Sequence, residues 1–381
     1  MELRQILRNA ANNTGAMNDA TRSGNVKVLL SLLGPAARGL LLQRGKEGPF
    51  TEMPASHRAH FDWGYHCDQP ELQRLYSAAK KGQWDGETAL EWSRTVDPHD
   101  PAVELLNERI LPIAELGAYR RMSTREKEQQ KKMLLAWLLS QFLHGEQGAL
   151  FAACQVTEAV TWMDGKFYGS TQVVDEGRHV EVFHRYLTQK LERLYQINDN
   201  LYTIIDALMT DGRWDIKFLG MQIMIEGLAL GAFGTIRANT SEPLLRELLK
   251  YVITDEARHV HFGVVALRDY YTKVLSPKEL REREDWAFEM SLLMRNRFLA
   301  HEFYEEYYAH TMSRAAWDRL ILQSQFMTFF RNTMFRRIVP NLKRINLLSD
   351  RVRPHYEALG LLAFEHEKAA PELTAADLLE G

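Results

Sequence analysis

Two short segments of the chain share one pattern, Val174-Asp-Glu-Gly-Arg-His-Val180 and Thr254-Asp-Glu-Ala-Arg-His-Val260. Both contain Asp-Glu-x-Arg-His-Val, and in both the glutamate and the histidine are three positions apart. Each copy also has a glutamate thirty positions upstream, Glu146 for the first and Glu226 for the second, so the whole set recurs at an offset of 80 positions. The chain therefore carries an internal repeat of acidic and imidazole side chains.

The spacing within the repeat suits metal binding. Residues three apart lie on one face of a helix, so each motif glutamate and its histidine can present an oxygen and a nitrogen to the same ion. The upstream glutamates stand among small and apolar residues, where a lone buried carboxylate is costly. A single Glu-x-x-His is typical of a solvated helix face, whereas two matched copies favour a metal site. The predicted metal ligands are Glu146, Glu176, His179, Glu226, Glu256 and His259.

The chain around the repeat is predicted to be almost entirely helical, because apolar residues recur at helical rather than alternating spacing. Ser123-Thr-Arg-Glu126 and Ser276-Pro-Lys-Glu279 are capping boxes, which satisfy free N–H groups at a helix start. Gly165 and Gly169 indicate a break between two long helices, and the polar stretch 198–212 indicates a crossover. The predicted long helices cover about 123–160, 170–194, 214–238, 241–274, 276–310 and 313–339.

These helices predict an all-α fold, and the ligand set on them resembles that of a ferritin-like four-helix bundle, here with additional N- and C-terminal helices. One Glu from each of two helices plus Glu-x-x-His from each of two others is the inward-facing ligand set of di-metal carboxylate bundles. We divide the chain into an N-terminal helical region (1–122), the di-metal bundle core (123–275) and C-terminal helices with a tail (276–381), all within one compact domain.

Composition excludes several classes of protein. The chain has 381 residues, and 47 Lys and Arg against 50 Asp and Glu leave a formal charge of −3, which offers no electrostatic footprint for nucleic acid. Two cysteines, Cys67 and Cys154, are too few for a disulfide framework or a CxxC centre. The apolar stretch 26–42 is interrupted by Gly34-Pro35 and Arg38, which makes it a poor membrane span. We expect a cytoplasmic protein that binds neither nucleic acid nor membrane.

Residues 126–275 resemble the ferritin-like di-iron carboxylate superfamily. That superfamily includes the ribonucleotide reductase small subunit, its ligand-binding oxidase relatives, bacterial monooxygenase hydroxylases and di-iron N-oxygenases. The Asp-Glu-x-Arg-His form is most similar to the monooxygenase hydroxylases. The resemblance implies two iron ions, with a manganese–iron pair as the alternative, and O₂ as a reactant. It also implies a reductase or ferredoxin as electron donor, and a homodimer.

The same resemblance implies partners for the metal-bound histidines. Asp175 serves His259 and Asp255 serves His179, each aspartate holding the imidazole of the other repeat, since a metal-bound imidazole needs its second N–H held. The arginines of the two motifs pair with these aspartates. The alternative for both arginines is a surface ion pair, which contributes little. The arginines are Arg178 and Arg258.

Departures from the family patterns argue against a tyrosyl-radical reductase subunit and weaken the N-oxygenase alternative. Phe183 occupies the position that usually holds the radical tyrosine of reductase small subunits, four residues after the first motif histidine. Val252 occupies the position of the third histidine of the aminobenzoate-type N-oxygenases. His144 and His261 are each two residues from a predicted ligand and so point elsewhere. Upstream, 83–92 resembles a short segment of some ferritin-like oxygenases, in which we interpret Trp84 as structural.

The predicted function is an O₂-activating non-haem di-iron oxygenase or oxidase acting on a small, hydrophobic organic substrate. The alternatives are an N-oxygenase of an amine, a non-catalytic ferritin-like iron-binding protein, and an oxidase that holds a lipid. No catalytic residue is predicted beyond the metal ligands. Residues one helical turn from the ligands are expected to line a substrate pocket, the alternative being ordinary bundle core. They are Phe142, Ala149, Leu150, Phe183, Gln222, Ala229 and Leu230.

Overall fold

The fold is described from a computed structural model, in which residues 3–19 and 22–379 are described. Every regular element in these two ranges is helical, so the predicted all-α class is confirmed. The N-terminal helices are α1 (Leu3–Asn12), α2 (Thr14–Asp19), α3 (Val26–Ala36), α4 (Pro70–Lys81) and α5 (Gly117–Arg120). The central helices are α6 (Thr124–Ala159), α7 (Met163–Tyr186), α8 (Asp199–Thr210), α9 (Trp214–Phe218), α10 (Glu226–Ala238) and α11 (Pro243–Lys273). The C-terminal helices are α12 (Pro277–Asn296), α13 (His301–Tyr307), α14 (Arg314–Gln323), α15 (Gln325–Arg344), α16 (Arg353–Ala358) and α17 (Ala375–Leu379).

Helices α6 and α7 are the first antiparallel pair of the bundle. The predicted capping box at Ser123 is confirmed, with reciprocal bonds between Ser123 and Glu126. The predicted break at Gly165 and Gly169 is wrong, because α7 already begins at Met163. A Cβ at Gly169 would lie 2.3 Å from Thr157 Oγ1 on α6. The glycine there permits close helix packing instead of ending a helix.

The predicted crossover over 198–212 is itself a buried helix, α8, capped by the Asn198 side chain. After it, α9 continues through a π-helical segment, Leu219–Ile225, directly into α10. The predicted helix over 214–238 is therefore confirmed, with a π segment just ahead of Glu226. Such segments are often found at functional sites.

Two contacts establish the helix directions. Gln172 and Gln222 meet 3.4 Å apart at one end of α7 and the π–α10 helix, and Phe183 and Phe233 stack 5.5 Å apart at the other. These two helices therefore run parallel, which requires the long crossover through α8. Phe142, which precedes Glu146 on α6, contacts Phe233, which follows Glu226 on α10. Helix α6 therefore runs antiparallel to α10.

The C-terminal region departs from prediction at three places. The single helix predicted over 313–339 is wrong, because Ser324 is extended (ψ 149°) and its side chain accepts from Met327 N, which ends α14 and begins α15. The helix that begins after Ser276 ends at Asn296, and a 3₁₀ turn over Arg297–Leu299 leads to Ala300 in the left-handed region with φ 51°. Pro340 lies inside α15 and does not end it. Helix α15 packs against α10, and α4 packs against α7 and α11. The division of the chain at 122 and 275 stays a prediction.

Two helical stretches are long and apolar enough to span a membrane, Val26–Lys46 and Trp214–Ala238. The second is wholly buried inside the bundle, and core helices of this kind share the length and composition of membrane spans. The first is 28% buried over its most apolar window. Within it, Arg38 makes two hydrogen bonds of 2.7 and 2.6 Å to the buried Asp206 carboxylate of α8. This contact attaches the stretch to the bundle.

Candidate metal centre

The six predicted ligands come together in the middle of the bundle. Their side chains form two four-residue groups that share Glu176 and Glu256, and within each group the candidate ligand atoms lie within 4.8 Å of one another. Glu146 and His179 complete one group, and Glu226 and His259 complete the other. None of the six is more than 4% exposed. The buried cluster is therefore able to bind two metal ions.

Both histidines turn the same ring nitrogen towards the carboxylates. His179 Nδ1 lies 3.3 Å from both Glu146 Oε2 and Glu256 Oε1. His259 Nδ1 lies 3.1 Å from Glu176 Oε1 and 4.0 Å from Glu226 Oε2. Nδ1 is therefore the nitrogen available to a metal, which leaves Nε2 to be held from outside.

The aspartates of the motifs hold the Nε2 atoms in the crossed arrangement that the resemblance implied. His179 Nε2 lies 3.2 Å from Asp255 Oδ2, and His259 Nε2 lies 3.3 Å from Asp175 Oδ2. Each aspartate therefore contacts the histidine of the other repeat. Such contacts fix the imidazole tautomer and orientation at metal sites.

The two arginines of the motifs lie around the aspartates and not on the surface. Arg178 bonds Asp175 at 2.5 Å and Asp255 at 3.0 Å. Arg258 bonds Asp255 and lies 3.7 Å from Asp175. The Arg178 and Arg258 side chains are only 7% and 13% exposed. The alternative of surface ion pairs is therefore wrong, and the arginines offset the buried charge of the aspartates.

Three residues that were not predicted as site residues also contact the cluster. Gln172 donates to Glu226 at 2.8 Å and to Glu176 at 3.3 Å. Gln83 donates to Asp175, and the Trp84 indole donates to Asp255, both at 2.8 Å. Gln172 precedes Glu176 by one helical turn, a spacing that could have identified it. Trp84 was interpreted as structural. The only sequence signal for its place at the site was the resemblance of segment 83–92 to ferritin-like oxygenases.

Proton affinities within the cluster reflect its crowding. Burial raises the pKa of Glu146 and of Glu226 well above the ordinary value, and the Glu256 carboxylate adds to both shifts. Burial opposes protonation of the two imidazoles, but the carboxylates around them raise the pKa of His179 and His259 well above normal. Without metal, protons on Glu146, Glu226 and the two imidazoles therefore reduce the negative charge of the buried cluster. Two bound cations would neutralise the carboxylates more effectively.

The residues present fit a pair of metal ions. Buried polar atoms are normally hydrogen-bonded. Among residues 3–19 and 22–379, however, Glu176 Oε2, Glu226 Oε2 and both carboxylate oxygens of Glu256 have no hydrogen-bond partner, nor does His259 Nδ1. Each of these oxygens lies between 3.3 and 4.0 Å from the Nδ1 atom of His179 or His259. A donor set of four carboxylates and two imidazoles is hard and oxygen-rich, which suits iron or manganese.

Contacts place three of the seven expected pocket residues relative to the cluster. Gln222 lies at the end where it meets Gln172. Phe142 and Phe183 lie at the opposite end, where Phe233 contacts both at 4.7 and 5.5 Å. All but Leu150 of the expected pocket residues are buried. The other four expected pocket residues are Ala149, Leu150, Ala229 and Leu230. The role of all seven in binding a substrate stays a prediction.

The two histidines that we set aside as ligands lie outside the cluster. His144 Nε2 is 2.8 Å from the Tyr195 carbonyl oxygen. His261 Nε2 is 3.0 Å from Glu71 Oε1 on α4. Both therefore have partners of their own, and both connect a bundle helix to a neighbouring segment.

The fold and the cluster define an all-α bundle protein with a buried carboxylate–imidazole site able to bind two metal ions. No protein-family model and no curated protein sequence matches the chain. Among solved structures, the chain is similar to variants of an R2-like ligand-binding oxidase. One with an aerobically reconstituted Mn/Fe cofactor has a TM-score of 0.45 at 16% identity, over 75% of this chain and 96% of that chain. Two others, reconstituted anaerobically, have TM-scores of 0.42 and 0.41 at 17% and 18% identity, over 74% and 75% of this chain and 94% and 96% of theirs.

Proposed function

We propose that the protein is an O₂-dependent di-iron oxygenase or oxidase that acts on a small organic molecule. The observation that carries the proposal is the pair of buried ligand groups sharing Glu176 and Glu256, whose carboxylate oxygens include four without a hydrogen-bond partner in the described part of the chain. A pair of bound ferrous ions supplies the two electrons that begin O₂ reduction. Iron is the metal we propose, with a manganese–iron pair as the alternative.

The protein groups have distinct tasks in this proposal. Glu176 and Glu256, which belong to both ligand groups, would hold both metals, and Glu146 and Glu226 would each hold one. Asp175 and Asp255 keep the histidines in the tautomer that leaves Nδ1 free for metal. At one end, the Gln172 amide restrains Glu226 and Glu176. At the other end, the aromatic residues exclude water from the reaction, as oxidative chemistry requires.

The reactants and partners follow from the same proposal. An external donor, a ferredoxin or flavin reductase, would supply the electrons for each turnover, and the protein acts as a homodimer. Storage of iron is less consistent with the chain, because about 230 residues outside the bundle are unnecessary for it. Val252 is buried aliphatic core at the position of the third N-oxygenase histidine, which argues against amine N-oxygenation.

Metal content combined with O₂ reactivity tests the proposal. The protein is purified from iron-replete cells, its metals are counted, and the anaerobically reduced protein is mixed with O₂ while the optical spectrum is followed. We expect about two irons per chain and a transient absorption band. The variant Glu176→Ala/Glu256→Ala should lose both, whereas His261→Ala, a histidine change on the same helix as His259, should lose neither. Iron uptake far above two per chain would support storage, and unchanged iron in the double variant would overturn the proposed site.

A further inference from the structure

Arg297 is a buried arginine that directly follows helix α12. It is 2% exposed, and its Nε atom has no hydrogen-bond partner. Among residues 3–19 and 22–379, no carboxylate forms an ion pair with it. Its guanidinium instead lies over the faces of two aromatic rings, Phe142 at 5.9 Å and Phe298 at 5.0 Å. A charge in such a place is expensive unless something pairs with it.

The guanidinium lies at the aromatic end of the metal centre. Phe142 is one turn before Glu146 on α6, and its ring contacts Phe233, which in turn stacks on Phe183. Burial lowers the pKa of Arg297 to about 10, and the Glu146 carboxylate acts in the opposite direction. The arginine is therefore charged at neutral pH and lies within the electrostatic reach of the cluster.

Formal charge shows that the metal centre does not need this arginine. Four glutamates and two aspartates of the cluster carry six negative charges. Arg178 and Arg258, which contact the aspartates, supply two positive charges, and two divalent cations supply four. These charges sum to zero without Arg297. The positive charge of Arg297 therefore remains available for one further anion.

The backbone changes conformation at the arginine. Helix α12 ends at Asn296, Arg297 begins a 3₁₀ turn, and Ala300 then adopts the left-handed conformation with φ 51°. That conformation is unfavourable for a residue with a Cβ, and such strain persists where the surroundings enforce it. An uninterrupted α12 would carry residues 297–300 onward along the helix instead.

We propose that Arg297 binds the carboxylate of a monoanionic substrate whose apolar body lies against Phe142, Phe183 and Phe233. This inference rests on the proposed function and adds the substrate class to it. The planar guanidinium offers paired donors matched to a carboxylate. The aromatic residues offer apolar and edge contacts to an alkyl or aryl body. The substrate is thereby held by its acid group, with the remainder directed along the aromatic residues towards Glu146.

The test compares carboxylic acids with their uncharged primary amides on the iron-loaded protein. The probes are benzoate, phenylacetate, 3-phenylpropionate and octanoate, each paired with its amide, and binding is measured by calorimetry. A hydrogen-bonded charge of this kind corresponds to about 10-fold to 100-fold tighter binding of the acid in at least one pair. Arg297→Gln should abolish the difference within that pair, and Arg297→Lys should retain part of it.

A stability control separates ligand binding from a structural role. Arg283 is buried like Arg297 but pairs with Asp215 at 2.8 Å. Arg283→Met should lower Tm and leave the acid–amide difference unchanged. Arg297→Met should not lower Tm, because it removes a buried charge without leaving a partner behind. A lowered Tm in Arg297→Met together with an unchanged acid–amide difference would show that the arginine is structural.

Iron content distinguishes failure of this inference from failure of the proposed function. Two irons per chain with no acid–amide difference in any pair, including pairs in which neither compound binds, overturns the role of Arg297 alone. A wild-type protein that binds no iron overturns the proposed function itself. Two irons per chain with an acid preference that disappears in Arg297→Gln supports both.

Discussion

His179 Nε2 lies 3.2 Å from Asp255 Oδ2, although these residues belong to different copies of the repeat and stand 76 positions apart. The reciprocal contact joins His259 and Asp175 at 3.3 Å. Each copy therefore supplies an imidazole to the centre and the carboxylate that orients the other copy's imidazole. Neither half of the repeat can build its metal position alone.

We predict that Asp255→Asn weakens metal binding. The amide cannot supply the negative charge that faces His179 Nε2 and both motif arginines. Loss of such an outer contact typically costs about 10-fold to 100-fold in metal affinity. Iron affinity would be measured by competition with a chelator. Asp215→Asn, which changes a buried aspartate outside the cluster, should leave the affinity unchanged, and equal affinities for both variants would contradict the prediction.

We predict that the metal-free protein loses stability as pH rises. The raised pKa values of Glu146 and Glu226 mean that the folded state holds protons that the unfolded state releases. Their stabilisation is complete below the ordinary glutamate pKa of about 4.3 and is lost as pH rises through the folded values. The raised pKa values of His179 and His259 have the same sign, with loss above about pH 6.5.

The measurement is Tm between about pH 5 and pH 8, with and without bound metal. The metal-free Tm should fall with rising pH, because these groups must give up their protons inside the protein. Metal affinity should rise over the same range, since metal binding displaces those protons. Glu146→Gln removes one of the titrating groups and should flatten the metal-free slope. A metal-free Tm that rises with pH would count against the crowded cluster.

We predict opposite effects for two glycine changes on α7. A methyl group at Gly169 would approach Thr157 Oγ1 to 2.3 Å, so Gly169→Ala should destabilise the protein by about 1–3 kcal/mol through overpacking. A methyl group at Gly177 would meet no neighbouring atom within 4 Å, so Gly177→Ala should stabilise the protein by about 0.5–1 kcal/mol through helix propensity. Urea unfolding gives both values, and a neutral Gly169→Ala would disprove the close contact between α6 and α7.

We predict that Arg38→Met destabilises the protein by about 2–3 kcal/mol. The change leaves the Asp206 carboxylate, whose side chain is 0% exposed, without its partner. Breaking a fully buried pair costs about 3–5 kcal/mol, and the 30% exposure of Arg38 reduces that figure. The double variant Arg38→Met/Asp206→Leu should recover most of the loss in urea unfolding. A double variant as unstable as the single one would show that packing, not charge, is responsible.

Much of the bundle was predictable because its signals are local. The capping box at Ser123, the long helix over 214–238 and the crossed aspartates all match the prediction. The helix break predicted at Gly165 and Gly169 was wrong because a glycine can either end a helix or allow a neighbouring helix to pack closely. At Gly169 the neighbour is Thr157, which the sequence around the glycine does not reveal.

The sequence by itself determined which residues meet at the centre of the bundle, because a repeat of Glu-x-x-His with matched upstream glutamates has one low-cost arrangement, in which the acidic and imidazole groups face one another. Only the tertiary structure decided what surrounds them. Gln83 and Trp84 reach the aspartates from outside the bundle, and Arg297 enters from a break more than 35 residues beyond the second motif. Such contacts depend on how distant segments pack, and nothing periodic in the chain records them.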